Sequence, residues 1–337
     1  MKDKILITGA AGFIGSHLVE LLLEEKISPQ SLRLLIPRNE SLQNLPKANF
    51  KVIRGNIRNK SDIRQAMQGV NIVYHLAALT IDGGKYYSKD EYQEVNVEGT
   101  QNLLEACRDK KIKKFILFSS IAVYGLPAWV GNIENWNEKR AKNPREIYGE
   151  SKLQAEEEVI EAHKKWGIPY VIIRPTSVYG PRDKRNLLEL YRAIKKHLFF
   201  CIGNGRNKMD YVFVKDVARA AYLAQKSRNK TGDYIIGCGT PISLNEVVSN
   251  VAKSINTSVP TLHIPIDGAI LLSYIVKLVS VILGIKPILF PQRVKVLTTN
   301  CYFSIAKAKK EIKYHPKFSF ENGTHLTAQW LLDSNIL

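Results

Sequence analysis

Tyr148 and Lys152 stand four residues apart in the run Tyr148-Gly149-Glu150-Ser151-Lys152, so on a helix a phenol and an ammonium share one face. A phenol with a pKa of about 10 is a poor base at neutral pH, but a cation beside it favours the phenolate. Such a tyrosine could take the proton of an alcohol while a hydride leaves the same carbon, or return that proton on reduction. Ser119 and Ser120, in the run Phe118 to Gly125, could hold the reacting oxygen beside it. Either serine could equally cap a turn. The pairing of tyrosine and lysine therefore needs its context before it means chemistry.

Part of that context lies at the other end of the chain. Thr8-Gly9-Ala10-Ala11-Gly12-Phe13-Ile14-Gly15 spaces three glycines between a strand-like run and a helical one. The first glycine permits a tight turn, the second lets backbone approach a pyrophosphate, and the third allows helix and strand to pack closely. The helix N-terminus then faces the phosphates. A nicotinamide dinucleotide is the cofactor this arrangement fits, with Gly9, Ala11, Gly12, Phe13, Ile14 and Gly15 around its phosphates. At the end of the second strand the sequence reads Ile36-Pro37-Arg38-Asn39, with no carboxylate before Glu40. Arg38 could pair with a ribose 2′-phosphate, which makes NADP the expected cofactor and NAD the alternative. Asn56, followed by Ile57 at the end of the third strand, could hydrogen-bond the adenine.

These residues must be held by a regular scaffold, and the first half of the chain supplies one. Apolar runs at Ile5–Thr8, Leu32–Ile36, Lys51–Ile53, Asn71–His75, Lys114–Phe118 and Tyr170–Ile173 alternate with helical patterns at about 13–25, 90–110 and 149–166. Alternation of this kind predicts an α/β fold, a doubly wound parallel sheet of Rossmann type. The runs lack strict polar alternation, as strands buried on both faces should. Beyond Pro175 the pattern loosens around Gly180-Pro181, Gly203–Gly205, Gly239–Pro241 and Pro287–Pro291. Asp210–Ala224 reads as a strand leading into a helix and Asp233–Ile236 as another strand, both expected to rejoin the main sheet. The expected division is a dinucleotide-binding domain over 1–180 with return segments at about 210–240. A smaller C-terminal substrate-binding lobe would be built from 181–209 and 241–337.

Composition narrows the partners. The chain has 337 residues, 49 Lys and Arg against 31 Asp and Glu, and a formal charge of +18. The basic residues are scattered and carry no nucleic-acid-binding signature, so they read as a surface that attracts an anionic small molecule rather than nucleic acid. Cys107, Cys201, Cys238 and Cys301 lie far apart, which argues against a disulfide framework or a structural metal. With no leader-like segment ahead of the first strand, a cytoplasmic location is expected.

The motifs together resemble the extended short-chain dehydrogenase/reductase superfamily, in its NAD-dependent epimerase/dehydratase group. The segments that carry the likeness are TGAAGFIG, YHLAA at 74–78, VNVEGTQNLLEAC at 95–107, SSIAVYG, YGESK, IRPTSVYGP at 173–181, DYVFVKDVARA at 210–220 and FSIAKAKKEIKYHPK at 303–317. The resemblance implies Tyr148 as general acid/base, Lys152 as the partner that lowers its pKa and binds the ribose, and Ser120 as the group orienting the substrate hydroxyl. It implies Leu76, Ala77, Ala78, Asn96, Ser119 and Pro175 around the cofactor. Thr80, Ser177 and Arg182 would meet the substrate together with Ser120 and Tyr148. Ile121 and Ala122 occupy the places where dehydratases and decarboxylases of the group keep acidic residues, which disfavours those reactions. The expected function is an NAD(P)-dependent epimerase or ketosugar reductase acting on a nucleotide-linked sugar. Ser177, where an Asn is usual, weakens the sugar-nucleotide assignment. The Gly203–Ala220 segment also resembles steroid dehydrogenases of the 3β-hydroxy type, so a lipid-alcohol dehydrogenase is the alternative. Asp216 reads as a structural cap, and a homodimer through the helices at about 90–110 and 149–166 is a further possibility.

Residues 264–284 are apolar apart from Asp267 and Lys277. The part after Asp267, 268–284, is 17 residues with Lys277 in its interior, marginal for a membrane span. The expectation is a buried helix forming the wall or lid of the substrate pocket, with contact to a membrane surface as the alternative.

Overall fold

The computed structural model describes residues 3–80, 87–125, 131–185, 187–282 and 291–337. Met1, Lys2, residues 283 and 284 of the apolar stretch and the proline-rich run as far as 290 lie outside them. The strands, in chain order, are β1 (Ile5–Thr8), β2 (Leu32–Ile36), β3 (Lys51–Arg54), β4 (Ile72–His75), β5 (Lys114–Phe118) and β6 (Ile133–Trp136). They continue as β7 (Tyr170–Pro175), β8 (Ser177–Tyr179), β9 (Cys201–Ile202), β10 (Lys208–Met209) and β11 (Tyr211–Phe213). The last are β12 (Thr231–Ile236), β13 (Ile242–Ser243), β14 (His263–Ile264) and β15 (Cys301–Phe303).

Seven of them form one parallel sheet in the order β12-β7-β5-β4-β1-β2-β3. Side chains that alternate along each strand feed two cores, one on each face. Ile5, Ile7, Leu34, Ile72, Ile116 and Ile173 point to the face covered by the Phe13–Glu24, Val214–Lys226 and Ala306–Ile312 helices. Leu6, Leu35, Val73, Phe115 and Ile172 point to the opposite face, under the Lys60–Ala66, Gly99–Glu105 and Ile147–Trp166 helices. Burial on both faces explains why the runs read as continuously apolar. The strand order reverses between β1 and β4, where Thr8 pairs with His75, and a ligand crevice is expected beyond the carboxyl ends of those strands.

Two expectations change. Only β12 rejoins the main sheet; β11 pairs instead with β8 in a separate two-stranded ladder. β7 ends at Pro175, which has no N–H to extend the ladder, and the chain re-emerges as β8 with β11 beside it. The helical stretch expected at 90–110 is broken by a π-turn over Gln93–Glu98 and ends at Glu105. A second sheet, β13-β10-β15-β6, and a separate apolar cluster under the Leu188–Lys195, Leu244–Ser254 and Phe320–Asp333 helices make up the smaller lobe.

The 264–284 stretch is also unlike its expectation. Among the described side chains of its Ile266–Ile282 helix the buried ones are small, Ala269, Ser273 and Ser280, while Leu271 is 65% and Leu278 62% exposed. The small residues let the helix sit close to the protein, so the bulky ones are left outside rather than walling a pocket.

Candidate active site

The loop between β1 and the Phe13–Glu24 helix is shaped by its three glycines. Gly9 has φ +68°, and a Cβ there would lie 2.8 Å from the Ala77 amide nitrogen. A Cβ on Gly15 would lie 2.1 Å from the Gly9 carbonyl oxygen, so helix and strand meet at a distance only glycine permits. Gly12 is the helix N-cap and brings no side-chain cap, which leaves the first-turn N–H groups for a ligand. The Ala77 N–H donates to the Thr8 hydroxyl at 3.1 Å, fixing the loop after β4 against the glycine turn. A backbone cradle without side chains, at a helix N-terminus and beside the switch point, fits the pyrophosphate of a dinucleotide.

At the carboxyl end of β5, Ser120 begins a 3₁₀ turn and its hydroxyl accepts the Ala122 N–H at 3.1 Å. The Ser120 hydroxyl also lies beside the phenol of Tyr148 and favours its charged form. Tyr148 lies in the first turn of the Ile147–Trp166 helix, and Lys152 one turn later donates Nζ to the Phe118 carbonyl oxygen at 2.9 Å. Burial raises the Tyr148 pKa, and both the neighbouring Ser120 hydroxyl and the positive charge of Arg185 oppose it. Burial brings Lys152 down to about 8, against the pull of Glu156. Serine, tyrosine and lysine are thus gathered at one strand end, beside a sheet whose switch point carries the glycine loop.

The sequence model of the family described as "NAD dependent epimerase/dehydratase family" matches residues 5–237. The chain belongs to that family. It is 31% identical, over 97% of its length and 90% of the relative's, to the decarboxylating sterol-4-alpha-carboxylate 3-dehydrogenase of Mus musculus. It is 29% identical, over 98% and 96%, to the N-acetyl-alpha-D-glucosaminyl-diphospho-ditrans,octacis-undecaprenol 4-epimerase of Escherichia coli O157:H7. The crystal structure of UDP-glucuronic acid 4-epimerase from Bacillus cereus in complex with NAD superimposes with a TM-score of 0.77 at 26% identity, covering 98% of this chain and 99% of that one. Membership makes this an NAD-dependent epimerase/dehydratase.

Within that family frame, several residues singled out by sequence take other duties. Asn96, in the π-turn, clamps the backbone of Leu79, accepting its N–H at 2.7 Å and donating to its carbonyl at 3.1 Å. Its amide also donates to Ser151 Oγ at 2.9 Å, so it shapes the 76–80 loop and braces the Tyr148 helix. Ser119 turns its hydroxyl away from Ser120 and donates to the buried Glu156 carboxylate at 2.6 Å. Arg182 lies against the first helix, donating to Ser16 Oγ at 3.1 Å and to Glu20. It is a fold contact there, not a group aimed at Tyr148. Asn56 spends its side-chain oxygen on the Arg58 N–H at 3.0 Å, and Ile57 packs against Gly99. Asp216 accepts the Lys317 and Phe318 N–H groups at 2.9 and 3.2 Å, which is a structural duty. Leu76, Ala77 and Ala78 line the loop after β4, Pro175 ends β7, and Ser177 lies exposed on β8.

Three residues escaped the sequence reading. Arg185 donates to the Thr80 hydroxyl and places its charge on Tyr148, although no motif covers it. Arg54 donates to the carbonyls of Pro37 and Glu40 at 3.0 and 2.6 Å, holding the turn that presents the exposed Arg38. Glu156, one turn beyond Lys152, is fully buried and holds Arg174 through two bonds of 2.7 and 2.8 Å. Its place in YGESKLQAE four residues after Lys152 was the available signal. A separate cavity of about 270 Å³ lies in the smaller lobe, lined by Asn132, Asn204, Arg206, Asn207 and Asn300 among others.

Proposed function

We propose that this chain catalyses reversible hydride transfer at a secondary alcohol of a diphosphate-linked sugar, as an epimerase or ketosugar reductase. The observation that carries the reading is the Ser120 hydroxyl beside the Tyr148 phenol at the end of β5, with Lys152 one turn along the same helix. Ser120 aligns the substrate oxygen. Tyr148 accepts or returns the hydroxyl proton, and Arg185 favours the charged phenolate through its positive charge. Lys152 fixes the helix to β5 and would bind the cofactor's ribose. The dinucleotide, when bound, supplies the nicotinamide that accepts or donates the hydride. Gly9, Ala11, Gly12, Phe13, Ile14 and Gly15 would hold its pyrophosphate, and Leu76 to Ala78 would close over it. Arg38, with Arg54 bracing its turn and no carboxylate beside it, favours NADP over NAD. The lobe over 181–209 and 241–337 would take the substrate, with Thr80 and Ser177 at its inner edge.

A second reading is favoured by one observation, the outward apolar face of the Ile266–Ile282 helix. The sterol and undecaprenol relatives act, by their names, on lipid alcohols or lipid-borne sugars, and a lipid-borne substrate here would keep the same Ser120–Tyr148–Lys152 chemistry.

Thermal melting separates these readings. A ligand present at a hundredfold its Kd stabilises by about 2.7 kcal/mol, a readable shift. The proposal expects a shift with NADP⁺ that grows on adding UDP or dTDP. Growth with a sterol alone favours the lipid reading, and no shift with either dinucleotide would overturn both.

A further inference from the structure

At the switch point of the sheet, where central parallel strands ordinarily bury apolar side chains, the chain buries polar ones. Thr8 ends β1, His75 ends β4, and the two pair in register. Asn96 in the π-turn and Thr100 in the Gly99–Glu105 helix complete the set, and none of the four is more than 2% exposed.

Their hydrogen bonds run in a single direction. The Ala77 N–H donates to the Thr8 hydroxyl at 3.1 Å, and that hydroxyl meets His75 Nδ1 at 2.7 Å. Across the ring, Nε2 lies 2.9 Å from the Thr100 hydroxyl, which donates its own proton to the Asn96 carbonyl oxygen at 2.6 Å. A hydroxyl has one proton, and a carbonyl can only accept. Thr100 must therefore accept from His75, so Nε2 carries the hydrogen. Burial, with the Lys152 charge acting the same way, brings the His75 pKa down to about 3 and keeps the ring neutral. Nδ1 is then bare, and Thr8 donates to it.

The chain ends on both halves of the site. Ala77 is the residue whose amide a side chain on Gly9 would strike, so Thr8 holds the loop after β4 against the glycine turn. Asn96 grips Leu79 from the other end of that loop and donates to Ser151 Oγ at 2.9 Å. Ser151 in turn donates to the Tyr148 carbonyl oxygen at 2.8 Å. A buried polar chain is costly unless every proton finds an acceptor, and once satisfied it fixes one arrangement.

We propose that His75, as the Nε2–H tautomer, is a positioning residue that couples the dinucleotide cradle to the Tyr148 helix. The inference rests on the reading that the Gly9–Gly15 loop holds a dinucleotide, and adds the side chain that keeps that loop in register with the tyrosine.

The test is a double-mutant cycle on Thr8 and Thr100, which are joined through His75, read as the Kd of the full chain for NADP⁺ and for NAD⁺ by calorimetry. Valine keeps the shape of each threonine but leaves buried groups unpaired, so melting falls whatever the chain does, and affinity is the deciding readout. Thr100→Val is expected to weaken dinucleotide binding about fivefold, the size of one lost hydrogen bond, although it lies across the ring from the glycine loop. Thr100→Ser keeps the hydroxyl and should bind as wild type does. Thr8→Val/Thr100→Val should bind no more weakly than the weaker single variant, whereas losses at independent sites multiply. His75→Phe keeps a ring against Phe115, and adding Thr100→Val to it should change the Kd no further. Thr100→Val that binds as wild type does, Thr100→Ser as weak as Thr100→Val, or multiplied losses in the double variant would each overturn the inference and leave the cofactor reading standing. A wild type that binds neither dinucleotide would overturn both.

Discussion

Lys152 Nζ donates to the Phe118 carbonyl oxygen at 2.9 Å, so one buried bond ties the Tyr148 helix to the strand end that presents Ser120. Ser120 lies two residues beyond Phe118, and Tyr148 four before Lys152. The relative position of phenol and hydroxyl therefore depends on a buried lysine whose charge is favoured by Glu156, one turn further along the helix.

That lysine has a pH signature. Its folded-state pKa, about 8, lies below the ordinary 10.5, so between those values the unfolded chain binds more protons than the folded one. Stability then rises with pH through that window, and below pH 8 the charged lysine costs the fold about 3 kcal/mol. Denaturant midpoints of wild type and Lys152→Met, compared from neutral pH upward, should show wild type gaining on the variant between pH 8 and 10.5. A constant difference would contradict the assignment.

The two arginines near residue 180 should separate cleanly. Arg182→Ala removes bonds to Ser16 and Glu20 and should cost about 1–2 kcal/mol of stability with little change in kcat. Burial raises the Glu20 pKa, but bonds from His17 and Arg182 outweigh it and leave about 2. The contribution of this depressed carboxylate is present above pH 4.5 and lost towards pH 2, so the Arg182→Ala deficit should shrink on acidification. Arg185→Ala should instead lower kcat by about tenfold and move the basic-side pH optimum upward, since it removes positive charge from Tyr148. Melting curves and pH–rate profiles of both variants decide it.

Gly15→Ala places a methyl group 2.1 Å from the Gly9 oxygen, a backbone atom that cannot swing aside. The helix must shift, at a cost of about 1–3 kcal/mol, and the cradle shifts with it. The expected result is a lower melting temperature together with loss of the stabilisation given by a dinucleotide. Retained stabilisation would show that the loop does not hold the phosphates.

Cofactor preference is expected to follow Arg38. Arg38→Ala should weaken NADP⁺ by about tenfold to a hundredfold and leave NAD⁺ nearly unaffected, the size of a lost charged hydrogen bond to a phosphate. Arg54→Ala should act in the same direction and more weakly, because Arg54 only holds the Pro37–Glu40 turn. The ratio of kcat/KM for the two cofactors measures both.

Much of the scaffold was legible because burial on both faces leaves a simple record. Ile5–Thr8, Leu32–Ile36 and Lys114–Phe118 could hardly be anything but central strands, and Gly9 and Gly15 mark a turn where a side chain does not fit. Contacts formed between distant elements left no such record. Arg182 and Arg185 are two arginines in one loop, and only folding sends one to Glu20 and the other to Thr80. Asn96 lies in a π-turn whose extra residue no helical periodicity announces. The apolar stretch near residue 270 misled because hydropathy records how apolar a helix is, not whether its small or its large residues face the protein.

Tyr148→Phe tests the central claim most directly. Phenylalanine keeps the ring in its place against Tyr92, 6.1 Å between centroids, and removes only the hydroxyl beside Ser120. The measurement is single-turnover hydride transfer to NADP⁺ with a diphosphate-linked sugar, alongside the melting shift given by the cofactor alone. The account predicts an unchanged shift and a rate lower by about 10²–10⁴, the size of a lost general acid/base. A variant that binds the cofactor and transfers hydride at the wild-type rate would contradict it.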